Sequence, residues 1–443
     1  MYAQIFGPEQ LITDAFDSPN SFILGDIDGD MLPDIVVGFV GINPIVAWSK
    51  NLGGNSFGDF QQIGVAETRN ISLADLDGDG DLDVLVPYVF VHKFAWFENL
   101  DGLGTFGTGR VVDTNTSGAY ELIGGDIDGD GDVDLIGAID LSGSVVWYEN
   151  LDGLGTFGPR TYITFTLNGC RSIVAQDMDN DGDLDVIAAT GGNKTVVWFE
   201  NQDGFGNFSD ELIVEGEIGT SVSDIKVIDI DGDGDMDILA VSGVQKIYWY
   251  ENLDGQGAFG IKQLIVEDIY CGDLFSTDLD NDGDNDVLYY NSPSVNIENS
   301  ELIWSENIDG LGTFGPKQII GQNHINLRFS YASDIDNDGD QDVFTCSNVT
   351  DKIVWYENLT ILGVTDIDTL DIKIYPNPVN EVLVIKSPIP IQRVCVFTIL
   401  GSKLLEVTEN FNEISMTGLP SGLLLVEIET AQGHKQIYKL LKI

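Results

Sequence analysis

The sequence predicts an all-β protein, a seven-bladed β-propeller followed by a small immunoglobulin-like β-sandwich. Three observations carry this. An Asp-rich nonapeptide begins at Asp26, Asp75, Asp126, Asp177, Asp229, Asp278 and Asp334, at intervals of 49, 51, 51, 52, 49 and 56 residues. That period fits four short strands per unit, which is one propeller blade. Each repeat also carries one tryptophan at a fixed phase, at positions 48, 96, 147, 198, 249, 304 and 355. Finally, the acidity stops abruptly. Residues 370–443 hold seven basic and seven acidic residues, whereas the chain before them holds 13 and 66. A break this sharp marks a domain boundary. The expected domains are a propeller over 5–359, a linker over 360–371 and a C-terminal domain over 372–443.

Within a repeat each element has a local cause. A short alternating segment such as Ser172-Ile173-Val174-Ala175 leads into the nonapeptide. An apolar β-run such as Val186-Ile187-Ala188-Ala189 leaves it. The tryptophan strand follows, as in Val197-Trp198-Phe199-Glu200-Asn201, and then a turn such as Leu151-Asp152-Gly153-Leu154-Gly155, whose Gly and Asp supply positive φ. Phe157-Gly158 then opens the fourth strand. The last repeat stops at Trp355-Tyr356-Glu357-Asn358 with no Phe-Gly segment after it. Phe6-Gly7-Pro8-Glu9-Gln10-Leu11-Ile12 supplies the missing piece and matches Phe314-Gly315-Pro316-Lys317-Gln318-Ile319-Ile320. Residues 5–13 are therefore expected as the outer strand of the last blade, joining the chain ends and protecting the ring from opening.

The nonapeptides have the chemistry of calcium sites. Carboxylates stand at position 1 (Asp26, Asp75, Asp126, Asp177, Asp229, Asp278, Asp334), position 3 (Asp28, Asp77, Asp128, Asp179, Asp231, Asp280, Asp336) and position 5 (Asp30, Asp79, Asp130, Asp181, Asp233, Asp282, Asp338). Glycine at position 6 permits a tight turn about one point in every loop but the first. The backbone carbonyl at position 7 (Leu32, Asp81, Asp132, Asp183, Asp235, Asp284, Asp340) and the carboxylate at position 9 (Asp34, Asp83, Asp134, Asp185, Asp237, Asp286, Asp342) complete an oxygen cage. That many hard oxygens suit calcium better than magnesium, which keeps its waters. An EF-hand needs Glu at position 12, where these loops have Val37, Val86, Gly137, Ala188, Ala240, Tyr289 and Thr345. The first loop departs most, with Met31 for glycine and Pro33 at position 8, but its carboxylates are intact. Up to seven ions are expected, with a weaker first site, and seven would move the net charge from −53 to −39.

The unit resembles the FG-GAP or VCBS repeat, the calcium-binding propeller repeat of integrin α-chains and many bacterial surface proteins, over roughly residues 5–359. The resemblance implies that the loop joins the first two strands of each blade, that the metals share one face, and that ligands bind on the other. Residues 372–443 alternate like strands between Gly/Pro turns. Their ordered motifs Tyr375-Pro376-Asn377-Pro378-Val379-Asn380, Ile399-Leu400-Gly401-Ser402-Lys403 and Gly418-Leu419-Pro420-Ser421-Gly422 resemble the type A sorting domain of the type IX secretion system of Bacteroidetes-type bacteria. This implies engagement with that machinery, export, and loss of the domain as the propeller is released or anchored at the cell surface.

Composition narrows the partners. With 20 basic and 73 acidic residues, the chain repels nucleic acid. No apolar run is long enough to span a bilayer. The cysteines Cys170, Cys271, Cys346 and Cys395 lack metal-type spacing and read as free or buried thiols. No catalytic residue is assigned, since the three histidines, His92, His324 and His434, have no nucleophile elbow beside them. Six residues before the loops stand Asn20, Arg69, Tyr120, Arg171, Ser223, Gly272 and Arg328. At the start of each inner strand they would ring the axis away from the metals, so Arg69, Tyr120, Arg171 and Arg328 are candidate contacts for an acidic glycan or a carboxylate. The competing expectation pairs these arginines with Glu121, Asp224 and Asp273. The functional expectation is a secreted or cell-surface recognition module for glycan or extracellular protein. The alternatives are a polysaccharide-degrading propeller, such as a calcium-assisted lyase, and a purely structural surface component.

Overall fold

The structure, a computed structural model, describes residues 5–54, 56–192, 195–215, 221–243, 245–293, 297–360, 373–376, 378–387, 390–398, 403–409, 411, 413–430 and 435–442. Most of the expected linker, His434 and the segment 399–402 lie outside these residues. The chain divides into two compact units, Met1–Leu362 and Gly363–Ile443.

The first unit contains seven four-stranded antiparallel sheets in sequential strand order. In the first, Pro19–Gly25, Asp34–Phe39, Ile45–Ser49 and Gln61–Gly64 follow one another outward. The second strands read as unbroken apolar runs because both their faces are covered. Every residue of Asp34–Phe39 and of Asp185–Thr190 is buried. The fourth strands are largely exposed over their first residues, as outer edges should be. The first strands touch one another in cyclic order, Leu327–Ser333 closing back onto Pro19–Gly25, so the sheets form a ring.

The seventh sheet joins the two ends of this unit. Its inner strands are Leu327–Ser333, Asp342–Ser347 and Lys352–Tyr356, and its outer strand is Gln10–Thr13. Gln10 lies opposite Trp355 and Leu11 opposite Val354, and Phe6 bridges Asn358. The Phe-Gly segments differ from a simple strand start. Phe157 makes an isolated bridge to Asn150, Gly158 N–H donates 2.7 Å to the Glu149 carbonyl, and the regular strand begins only at Thr161.

The tryptophans are inter-blade core, only 1–7% exposed. Each of five lies under the turn of the next blade. A Cβ on Gly104 would come within 1.9 Å of the Trp48 ring, and its φ of +80° also favours glycine. The second unit has a three-stranded sheet (Lys373–Tyr375, Val382–Lys386, Glu413–Ser415) and a four-stranded one (Lys403–Val407, Ile391–Thr398, Gly422–Thr430, Lys435–Lys442). They enclose one core that includes Leu383, Ile385, Val394, Val426 and Leu440. All four cysteines are buried, and none is in a disulfide.

Candidate functional site

Each Asp loop joins the first and second strands of its blade, so all seven lie at the same end of the ring. The loop first organises itself. In all seven the position-6 N–H donates 2.8–3.1 Å to Oδ2 of the position-1 aspartate. The position-9 aspartate is at most 1% exposed. It accepts 2.9–3.3 Å from the position-2 N–H on one oxygen. Its other oxygen accepts 2.7–2.9 Å from the backbone of the asparagine that ends the tryptophan strand.

What remains is a surplus of negative oxygen. Carboxylate oxygens of Asp75, Asp77 and Asp83 lie within 4.8 Å of one another, as do those of Asp26, Asp28 and Asp34, of Asp126, Asp128 and Asp130, of Asp177, Asp179 and Asp185, and of Asp229, Asp231 and Asp237. Among the described residues, the position-3 oxygens Asp28 Oδ1, Asp77 Oδ1, Asp128 Oδ1 and Asp280 Oδ1 are buried without a hydrogen-bond partner. Burial, and then the neighbouring Asp79 and Glu98, push the Asp77 carboxyl up to about 6. Burial followed by Asp282 and Glu306 pushes Asp280 up to about 7. Orphaned oxygens in an all-oxygen donor set fit a hard cation.

Two partners of the loops were not identified from the sequence. The asparagine Nδ2 donates 2.8–2.9 Å to the position-2 carbonyl of the preceding blade's loop, in all seven blades. The residue before that asparagine changes sign between blades. It is Glu98, Glu149, Glu200, Glu251, Glu306 and Glu357 in six blades and Lys50 in the first. Lys50 Nζ binds Asp28 and lies 2.9 Å from Asp30. This exchange is visible in the sequence, at one phase of the repeat, but its meaning needs the fold.

At the opposite end of the ring, Asn20, Arg69, Tyr120, Arg171, Ser223, Gly272 and Arg328 line one cavity of about 290 Å³. The Arg69 and Arg171 guanidinium carbons lie 5.4 and 5.8 Å from the Tyr120 ring centroid. Asp224 and Asp273 border the same cavity, but the hydrogen bonds of the three acids expected to neutralise the arginines go to other groups. Glu121 accepts from Ile173 N–H at 2.7 Å, Asp224 from Leu274 N–H at 3.1 Å and from Lys226 Nζ at 2.8 Å, and Asp273 from Ser330 N–H at 3.0 Å. Arg171 Nε stands 3.6 Å from Asp140 Oδ1, beyond hydrogen-bond reach, and is buried without a hydrogen-bond partner. Arg69 and Arg328 make no ion pair among the described residues. His92 and His324 lie outside this cavity, the first accepting from Gly118 N–H at 3.1 Å and the second 2.7 Å from the Tyr356 hydroxyl.

Comparison with known proteins agrees with both units. Residues 26–86, 126–188, 177–240, 229–289 and 278–345 match the FG-GAP-like repeat. Residues 373–442 match the secretion system C-terminal sorting domain. Two similar solved structures are crystals of BBS1N in complex with ARL6DN, soaked with mercury and with lead. Both are 8% identical and cover 81% of this chain and 98% of theirs, with TM-scores of 0.54 and 0.53. At that identity the likeness is one of fold. No curated protein matches the chain.

Proposed function

The chain belongs to the FG-GAP-like repeat family, and from that premise we propose an exported propeller, stapled by calcium at one end, that recognises a carboxylate-bearing group of a glycan or extracellular protein at the other. The sorting domain marks the chain for export to the cell surface or the medium. On this reading the type IX machinery removes that domain as the propeller is delivered.

The observation that carries the recognition reading is the set of arginines in the axial cavity. On a chain of net charge −53, two guanidiniums without an ion pair among the described residues, beside a third that meets only Asp140 at 3.6 Å, are unusual. A carboxylate accepts from guanidinium in paired, charge-assisted bonds, and Tyr120 between Arg69 and Arg171 offers a flat face for a sugar ring. A cavity of about 290 Å³ is at the small end for ligand pockets. It therefore takes one charged residue of a larger molecule and not a long polyanion, which the acidic surface would repel.

Calcium suits the other end because its donors are all oxygens and their crowding calls for a cation. In this reading calcium is a structural ion, and the residues of the loops contribute position and charge. The test is retention of the calcium-loaded protein on a panel of acidic and neutral polysaccharides, with sugar release recorded alongside. The expected outcome is retention of uronate-containing glycans without release, lost in Arg171→Ala at unchanged melting temperature. Release of sugar would make the protein an enzyme, and an equal loss of stability in Arg171→Ala would return the arginine to a structural role.

A further inference from the structure

We propose that the first Asp loop holds no metal because Lys50 supplies its cation, so that the ring carries six calcium ions and not seven. This rests on the calcium reading above. It adds that the residue before the strand-ending asparagine decides which loops bind.

The loops are alike in their internal bonds, so the difference lies in what meets positions 3 and 5. Those two carboxylates must turn, with position 1, toward a common centre to hold calcium. In the first blade Asp26, Asp28 and Asp34 still converge within 4.8 Å and Asp28 Oδ1 is left without a partner, but the Oδ2 atoms of Asp28 and Asp30 meet an ammonium. Lys50 Nζ binds Asp28, whose side chain is 8% exposed, and lies 2.9 Å from Asp30. A calcium ion placed among the same oxygens would face a positive charge at contact range. It could enter only by expelling Lys50 from both partners.

Two independent features agree. Position 6 is glycine in the other six loops, at φ of +95 to +102°, but Met31 at +70° in the first. A non-glycine residue tolerates that region poorly, and the turn is correspondingly different. Position 7 is Leu32, where every other loop has aspartate. The first loop therefore holds four carboxylates against five in each of the others, and one fixed cation already offsets part of their charge.

In the remaining blades the same site carries the opposite sign. The residue there is Glu98, Glu149, Glu200, Glu251, Glu306 or Glu357, at the phase of the repeat that Lys50 holds in the first blade. A carboxylate beside a crowded acidic loop calls for a cation; Arg110 pairs with Glu98, and a multivalent ion between glutamate and loop would serve all six blades. These glutamates thus belong to the metal sites, as an added ligand or as acceptors for a bound water.

The experiment counts calcium on the full-length protein, by equilibrium dialysis with radioactive calcium at physiological ionic strength after chelator treatment, with circular dichroism as the check on folding. The expected counts are six for the wild type, seven for Lys50→Glu and five for Glu98→Lys. If Lys50→Glu does not fold, the Glu98→Lys count decides. A wild-type count of seven, a Lys50→Glu count that stays at six, or a Glu98→Lys count that stays at the wild-type value overturns the proposal. A wild-type count of zero removes the calcium reading along with it.

Discussion

Asn201 donates its side-chain amide 2.8 Å to the Ile127 carbonyl of the preceding blade, while its backbone N–H reaches Asp185 at 2.7 Å and its Oδ1 accepts from Gly206 at 3.1 Å. One buried residue thus ties its own Asp loop, its own turn and its neighbour's loop together. Asn201→Ala leaves the buried Ile127 carbonyl without that donor. The expected cost is about 1–3 kcal/mol of propeller stability, read as a lower denaturation midpoint at saturating calcium. A midpoint within error of wild type would show that the interlocking bond contributes nothing. The asparagine was visible in the sequence at a fixed phase beside the tryptophan. Its role was not, because the acceptor lies 74 residues away and is a backbone atom that any residue could provide. The clustering of the aspartates, by contrast, was legible, because nine consecutive residues contain most of the geometry.

At the scale of the strand, the arginine expectation and its competitor differ in which groups the neighbouring acids meet. Successive residues on a strand face opposite ways, so Glu121 and Asp224 follow Tyr120 and Ser223 by one step, although Asp224 still borders the axial cavity. They enter a wall shared by neighbouring first strands. There the cation is Lys226, which the repeat phase of the arginines did not reveal. Glu121 faces Asn70, the Ile173 N–H, Lys226 and Asp224, and burial pushes its carboxyl up to about 7 from an ordinary 4.5. Between those values the folded chain keeps a proton that the unfolded chain releases. The stability contributed is therefore present at low pH and lost as pH rises through about 7. Glu121→Gln stays neutral and can still accept from Ile173. Its melting temperature should gain on wild type from pH 5 to pH 8, with the other acids cancelling in the comparison. A difference constant across that range would mean that Glu121 is ionised throughout.

For the whole molecule, the two units should respond to calcium differently. The seven loops hold 34 of the 73 acidic residues, all in the propeller, whereas the C-terminal domain is neutral in composition. Any ion that binds only the folded loops stabilises by mass action, about 2.7 kcal/mol per site at a hundredfold excess over its dissociation constant. Several such sites around one ring add within a single cooperative unit, since every blade is bonded to the next through its asparagine. Calorimetry of the full chain should thus show two transitions. The propeller transition should climb steadily with the logarithm of free calcium, steeply enough to require several ions, and collapse on chelation. The C-terminal transition should stay where it is. Lys50→Glu should steepen the propeller's dependence by one site while lowering its stability in chelator, because the first loop then loses the cation it carries in its own sequence. A propeller transition indifferent to chelator would mean that protons, and not calcium, neutralise the loops.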